Sequence, residues 1–148
     1  MRTISIVRGS LLAVAVLLIL LGLTFVIDYQ LNKDNQYFKD LDTVEITYGV
    51  ATYFLITSVI FLLFGMFYKE NMNPAVDLVV TFFLALAAYA GYILAVTGTG
   101  KDFPSCGCYE RPELIRYLGS LLFLMSLAAL MLVWINFALK TFWKRVSR

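Results

Sequence analysis

Cys106 and Cys108, separated by Gly107 in the stretch DFPSCGCYERPELIR, are the two cysteines of a chain that has no histidine. A thiolate is the reactive form of cysteine, and its pKa falls beside cations or a helix N-terminus. Lys101, Arg111 and Arg116 supply nearby cations, partly offset by Asp102, Glu110 and Glu113. A disulfide between the two cysteines would close a very small ring. Disulfide geometry is demanding, and strain makes such a bond easier to reduce. Gly107 supplies the backbone freedom such a ring needs, and a strained, exposed disulfide is of the labile, exchanging kind. On the residues alone, other roles stay open: bystanders, bridges to another chain, or ligands of a metal shared with a partner. The lack of histidine excludes His-ligated haem, histidine zinc sites and Ser-His-Asp chemistry. The chain has no glycine-rich phosphate loop.

The elements that must carry this pair are membrane helices. The 148 residues are 61% hydrophobic and only 15% charged, whereas a soluble domain is about a quarter charged. Charges bound four long uncharged windows, at 9–27, 46–68, 78–100 and 117–139. About 20 apolar residues span a bilayer core as a helix. The runs are continuous rather than alternating, which argues against strands. The expected fold is therefore all-α, a single integral membrane domain over 1–148. Four transmembrane helices are predicted at about 9–27, 46–68, 76–100 and 113–139. The first window is read as a retained helix, since its apolar stretch outruns a signal-peptide core and no A-x-A-like site follows. A net charge of +2 without a basic, aromatic-interleaved patch gives no case for nucleic acid.

Lysine and arginine counts set the orientation. Arg2, Arg8, Lys69, Lys140, Lys144, Arg145 and Arg148 make seven on one side; Lys33, Lys39, Lys101, Arg111 and Arg116 make five on the other. Both termini are therefore expected in the cytoplasm, with the cysteine loop outside, where disulfides persist. The location that follows is a bacterial inner membrane, or a membrane bounding an equally oxidising lumen.

Helix starts carry their own signals. Asp42 can cap the second helix with Glu45 reaching back to it. Asn73 and Pro74 open the third with Asp77 near its positive end, and Pro112 opens the fourth. Tyr29, Tyr48, Tyr53, Phe67, Tyr68, Tyr117, Trp134 and Trp143 are expected as interfacial anchors. Ala87, Gly91 and Ala95 recur every four residues on the third helix, a spacing of small residues that lets two helices approach closely in lipid. The helix centres have no charge, which argues against an ion pump, a proton channel or a voltage sensor.

The motif CGCYERPELIR resembles the C-G-C-F-G signature before the last helix of MauE/DoxX-type redox-associated membrane proteins, a family of four-helix bundles of this size. VEITYGV, with Glu45 and Gly49, is similar to the Glu-Leu and glycine that open that family's second helix. Arg116 matches the arginine leading into its last. Tyr109, Glu110 and Ile46 depart from the family's phenylalanine, second glycine and leucine. The resemblance implies thiol–disulfide exchange with an extracytoplasmic thioredoxin-like partner. One of Cys106 and Cys108 would form the mixed disulfide and the other would resolve it. It also implies electron transfer to a bilayer quinone, the one cofactor suggested. Arg116 would steady a thiolate or a reduced quinone oxygen, and Glu45 would cap its helix or move protons. The alternative is a non-catalytic accessory or scaffold subunit of a larger membrane complex, using the small-residue face of the third helix.

Overall fold

The structure is a computed structural model that describes residues 2–32, 41–69, 73–97 and 112–146. It contains four α-helices and, among the described residues, no strand: α1 Arg2–Asn32, α2 Leu41–Phe67, α3 Pro74–Thr97 and α4 Pro112–Val146. Each contains a stretch long and apolar enough to cross a bilayer, so the chain is an integral membrane four-helix bundle. The helices mostly outrun the uncharged windows, because backbone hydrogen bonding continues into the polar flanks beyond the hydrocarbon. α1 thus adds seven residues before position 9, and α4 adds seven after position 139. α2 is already helical at Leu41, so Asp42 lies inside the helix and not at its cap. At α3 the cap is as expected. Asn73 Oδ1 accepts from the Ala75 amide at 3.2 Å, and Pro74 occupies the first position.

What orders the bundle is a buried seam of period 3.5. On α1 it reads Val7, Leu11, Val14, Leu18, Leu21 and Phe25; on α2 it reads Ala51, Phe54, Ser58, Phe61, Gly65, and then Tyr68 just past the helix. α3 continues the pattern with Asp77, Val80, Leu84, Ala87, Gly91 and Leu94, and α4 with Ile115, Gly119, Leu122, Ser126, Ala129, Val133 and Asn136. Steps alternating three and four residues keep one stripe facing its neighbours in left-handed, coiled-coil-like packing. The opposite stripe faces lipid: Val16, Leu20, Leu23 and Ile27 on α1, and Ile56, Val59, Leu63 and Met66 on α2, are exposed.

The bundle is built from two antiparallel hairpins, α1/α2 and α3/α4, joined along α1 and α4. Small residues set the close contacts. A Cβ added at Gly91 would stand 2.6 Å from the Phe123 amide nitrogen and 2.8 Å from the Gly119 carbonyl oxygen, so α3 and α4 touch backbone to backbone there. Gly65 and Gly22 of the other hairpin instead receive the side chains of Leu12 and Leu55. α2 and α3 share no comparable seam, and the Phe64 and Phe83 rings bridge them at 6.1 Å. Hydroxyls inside the spans bond back to their own helix: Thr24 to Leu20 O, Thr57 to Tyr53 O and Ser120 to Arg116 O.

Gly91→Ala should lower stability by about 1–3 kcal/mol, because backbone atoms cannot step aside as a side chain tip can. Gly9→Ala, with nothing within 4 Å of the added carbon, is the matched control and should leave stability unchanged or slightly raised. Unfolding of both variants in detergent, followed by circular dichroism, checks the contrast.

Candidate functional site

The expected redox residues belong to one end of the bundle. Thr97 ends α3 and Pro112 opens α4, so Cys106, Gly107 and Cys108 fall on the connection between them, outside the described residues. Glu45 lies in the second turn of α2, and the placement of its side chain is likewise outside the described set. Arg116 is described. It is exposed in the second turn of α4, and its carbonyl accepts from Ser120 Oγ at 2.9 Å. Antiparallel pairing puts the start of α2, the end of α3 and the start of α4 at this same end. Ala87 and Gly91 are buried and Ala95 is half-buried, and Gly91 meets Gly119 of the same chain. Among the described residues no group of acidic or thiol side chains could hold a metal.

The opposite end, which both termini share, holds a buried polar cluster drawn from residues far apart in the sequence. It continues the seam. Tyr68, expected as an interfacial anchor, is only 1% exposed, because the chain turns inward after α2 and lays the ring against α3 and α4. Its hydroxyl donates to Asp77 Oδ1 at 2.6 Å and accepts from Asn136 Nδ2 at 3.2 Å. Lys140 Nζ stands 3.5 Å from Asp77 Oδ2 and 5.5 Å from the Tyr68 ring centre. Asp77 is 3% exposed. It is thus a counter-charge within the bundle as well as an acid near the positive end of α3.

The ion pair is closed. Among the described residues neither Asp77 Oδ2 nor Lys140 Nζ has a hydrogen-bond partner, and both atoms are buried. A crevice between α3 and α4 lies beside them, lined by Asp77, Leu78, Thr81, Val133, Trp134 and Phe137. Its walls are mostly apolar, and the ion-paired Asp77 Oδ2 is buried. Burial, and then the hydrogen bond to Asp77, push the Tyr68 hydroxyl up to about 12 from its usual 10.

A second polar contact closes the same end. Arg8 of α1 donates from Nε to Gly65 O at 2.9 Å and from Nη2 to Met66 O at 2.7 Å. Tyr68 N donates to Phe64 O at 2.8 Å. Three of the four carbonyls that a helix leaves open at its C-terminus are therefore satisfied, two of them by a neighbouring helix. One signal of the cluster was present in the sequence. Asp77 and Lys140 each bound a membrane window, and buried charges near membranes come in pairs.

No family model matches the chain, and no curated protein or solved structure matches it either.

Asp77→Leu should cost about 3–5 kcal/mol, because Lys140 is left buried without its counter-charge. The double variant Asp77→Leu/Lys140→Met should be less destabilised than the single one. Tyr68 also sets a pH dependence. Its folded-state pKa lies above the unfolded value, so its contribution is complete below pH 10 and lost as pH rises toward about 12. Chemical denaturation across that window should show wild type losing more stability than Tyr68→Phe.

Proposed function

We propose that the chain is a membrane thiol–disulfide redox protein whose Cys106-Gly107-Cys108 segment exchanges with a thioredoxin-like partner on the side opposite the termini. The observation that carries this reading is the pair itself: two cysteines one residue apart, on a connection between two membrane helices, in a chain otherwise poor in reactive groups. The exchange is balanced. When a partner dithiol meets the Cys106–Cys108 disulfide, a partner thiolate attacks one sulfur and releases the other as thiolate. The second partner thiol then resolves the mixed disulfide. The partner leaves oxidised, and Cys106 and Cys108 hold its two electrons and two protons as thiols. The reverse direction uses the same steps.

A quinone in the bilayer is the acceptor the resemblance suggests, and it would take up two electrons and two protons as quinol. Arg116, exposed near this end of α4, is a described residue able to donate hydrogen bonds to its oxygens. Glu45, in α2 at the same end, is one of the acids that would serve proton movement if it is not spent on the helix terminus. The orientation that puts this end outside a bacterial inner membrane rests on the positive-inside count. The accessory-subunit alternative leaned on the small-residue face of α3. Gly91 spends that face on Gly119 within the chain, so Gly91→Leu would disturb the fold before any assembly.

In the reverse direction, where the Cys106/Cys108 dithiol attacks a partner disulfide, one of the single variants Cys106→Ser and Cys108→Ser keeps the attacking thiol but lacks the resolving one, and should accumulate a reductant-sensitive covalent complex with the partner. The double serine variant should form none and leave the partner's redox state unaltered by the protein. Non-reducing gels of intact cells, quenched with acid and alkylated, read both results. Normal partner oxidation in the double variant would remove the redox reading and leave the accessory one.

A further inference from the structure

We infer that the last two turns of α4, Leu139 to Val146, form a docking surface for anionic lipid headgroups in the leaflet nearest both termini. This inference is independent of the thiol chemistry, which lies at the other end.

The first observation is a face without a partner in the bundle. Leu139, Phe142, Trp143 and Val146 fall at i, i+3, i+4 and i+7, which is one stripe of a helix. They are 47%, 66%, 69% and 64% exposed. The buried seam of α4 stops at Asn136, and Lys140 turns inward one turn later on a different face from the stripe, so this stripe is not a continuation of the core.

The second observation is charge. Lys144 and Arg145 lie in the same last turn, off the stripe and on the remaining circumference of the helix, and are exposed. Among the described residues neither has a carboxylate within ion-pair distance, since the one such pair joins Lys140 to Asp77. No acidic residue follows Glu113 in the sequence. The end of α4 therefore presents fixed positive charge at the same level as its exposed aromatic rings.

The third observation is depth. Lys140 is level with Asp77, which is the fourth residue of α3, so the antiparallel register carries the end of α4 past the start of α3. The candidate span of α4 runs from Leu114 to Val146, 33 residues, with Arg116 near its start and Lys140, Lys144 and Arg145 near its end. At 1.5 Å per residue that is about 50 Å, against a hydrocarbon core of about 30 Å. With its charges gathered at Lys140, Lys144 and Arg145, this end fits the headgroup layer, where aromatic rings sit at the carbonyl level and lysine and arginine meet phosphate. Acidic headgroups complement this charge. A second copy would bring Lys144 and Arg145 against their own like, and a neutral headgroup offers them no net counter-charge.

The test uses the full chain with Trp134→Phe, so that Trp143 is the single tryptophan. It is reconstituted in mixed phosphatidylcholine–phosphatidylglycerol vesicles in which only one lipid at a time carries brominated chains, at matched mole fraction. Brominated phosphatidylglycerol should quench Trp143 several-fold more than brominated phosphatidylcholine at low salt. The excess should shrink at high salt and vanish in Lys144→Gln/Arg145→Gln, whose helicity serves as the folding control. Equal quenching by the two lipids would overturn the inference, as would an excess that survives the double substitution. Absence of quenching by either lipid would also overturn it, and would mean that protein or water covers the face.

Discussion

A helix bundle in lipid cannot use hydrophobicity to tell its inside from its outside, and every other feature of this structure answers to that constraint. Leu18 in the seam and Leu20 facing lipid differ in burial, not in chemistry. Lipid tails are as apolar as leucine, so the preference for one face must come from shape and from polar groups that lipid cannot satisfy. Shape is supplied by the 3.5-residue repeat on all four helices and by Gly91 against Gly119. Polarity is supplied at one end by Tyr68, Asp77, Asn136 and Lys140, all of them on or beside the seam.

The polar cluster is a specificity device more than a source of net stability. Burying a carboxylate and an ammonium costs several kcal/mol each before their attraction is counted, so such a pair roughly breaks even against apolar packing. Its effect lies in the alternatives it excludes. A register slip of α3 against α4 would strand Asp77 or Lys140 in lipid. A loop after α2 that failed to turn inward would remove the Tyr68 hydroxyl from Asp77. Arg8 acts in the same way between α1 and α2, because the Gly65 and Met66 carbonyls accept it in one register. Both hairpins are thus fixed at the end where the termini lie.

Much of the fold could be read from the sequence. Four uncharged windows marked four spans, and Asn73, Pro74 and Pro112 marked two helix starts, because the bilayer and the helix cap impose rules that act locally. The seam could not be read, since a membrane helix is apolar all round and its buried stripe leaves little contrast with its lipid-facing one. The polar cluster was hidden for another reason. Tyr68 and Asp77 each have a local explanation, as interfacial anchor and as acid near a positive helix end. Their joint role depends on Asn136 and Lys140, which lie more than fifty residues away in the sequence. Asp42 misled because a polar residue before an apolar run resembles a cap even when the helix has already begun.

The two ends of the bundle therefore do different work. The end bearing the termini is locked by side chains whose loss would leave charge or backbone polar groups unsatisfied. The end bearing Cys106 and Cys108 is tied by backbone contact: a Cβ at Gly119 would stand 2.6 Å from Leu94 Cβ and 3.0 Å from the Ala95 amide nitrogen. Leu94 lies three residues before Thr97, where α3 ends, so this contact clamps the stems of the cysteine-bearing connection. Thiol–disulfide exchange needs an attacking sulfur to approach in line with the bond it breaks, on a segment free to change partners. The proposed exchange at Cys106 and Cys108 would therefore rest on stems that are packed together, Thr97 at the end of α3 and Pro112 at the start of α4. On the proposed redox reading a charged lock belongs at the other end, because an ion pair near a reactive thiol shifts its thiolate equilibrium.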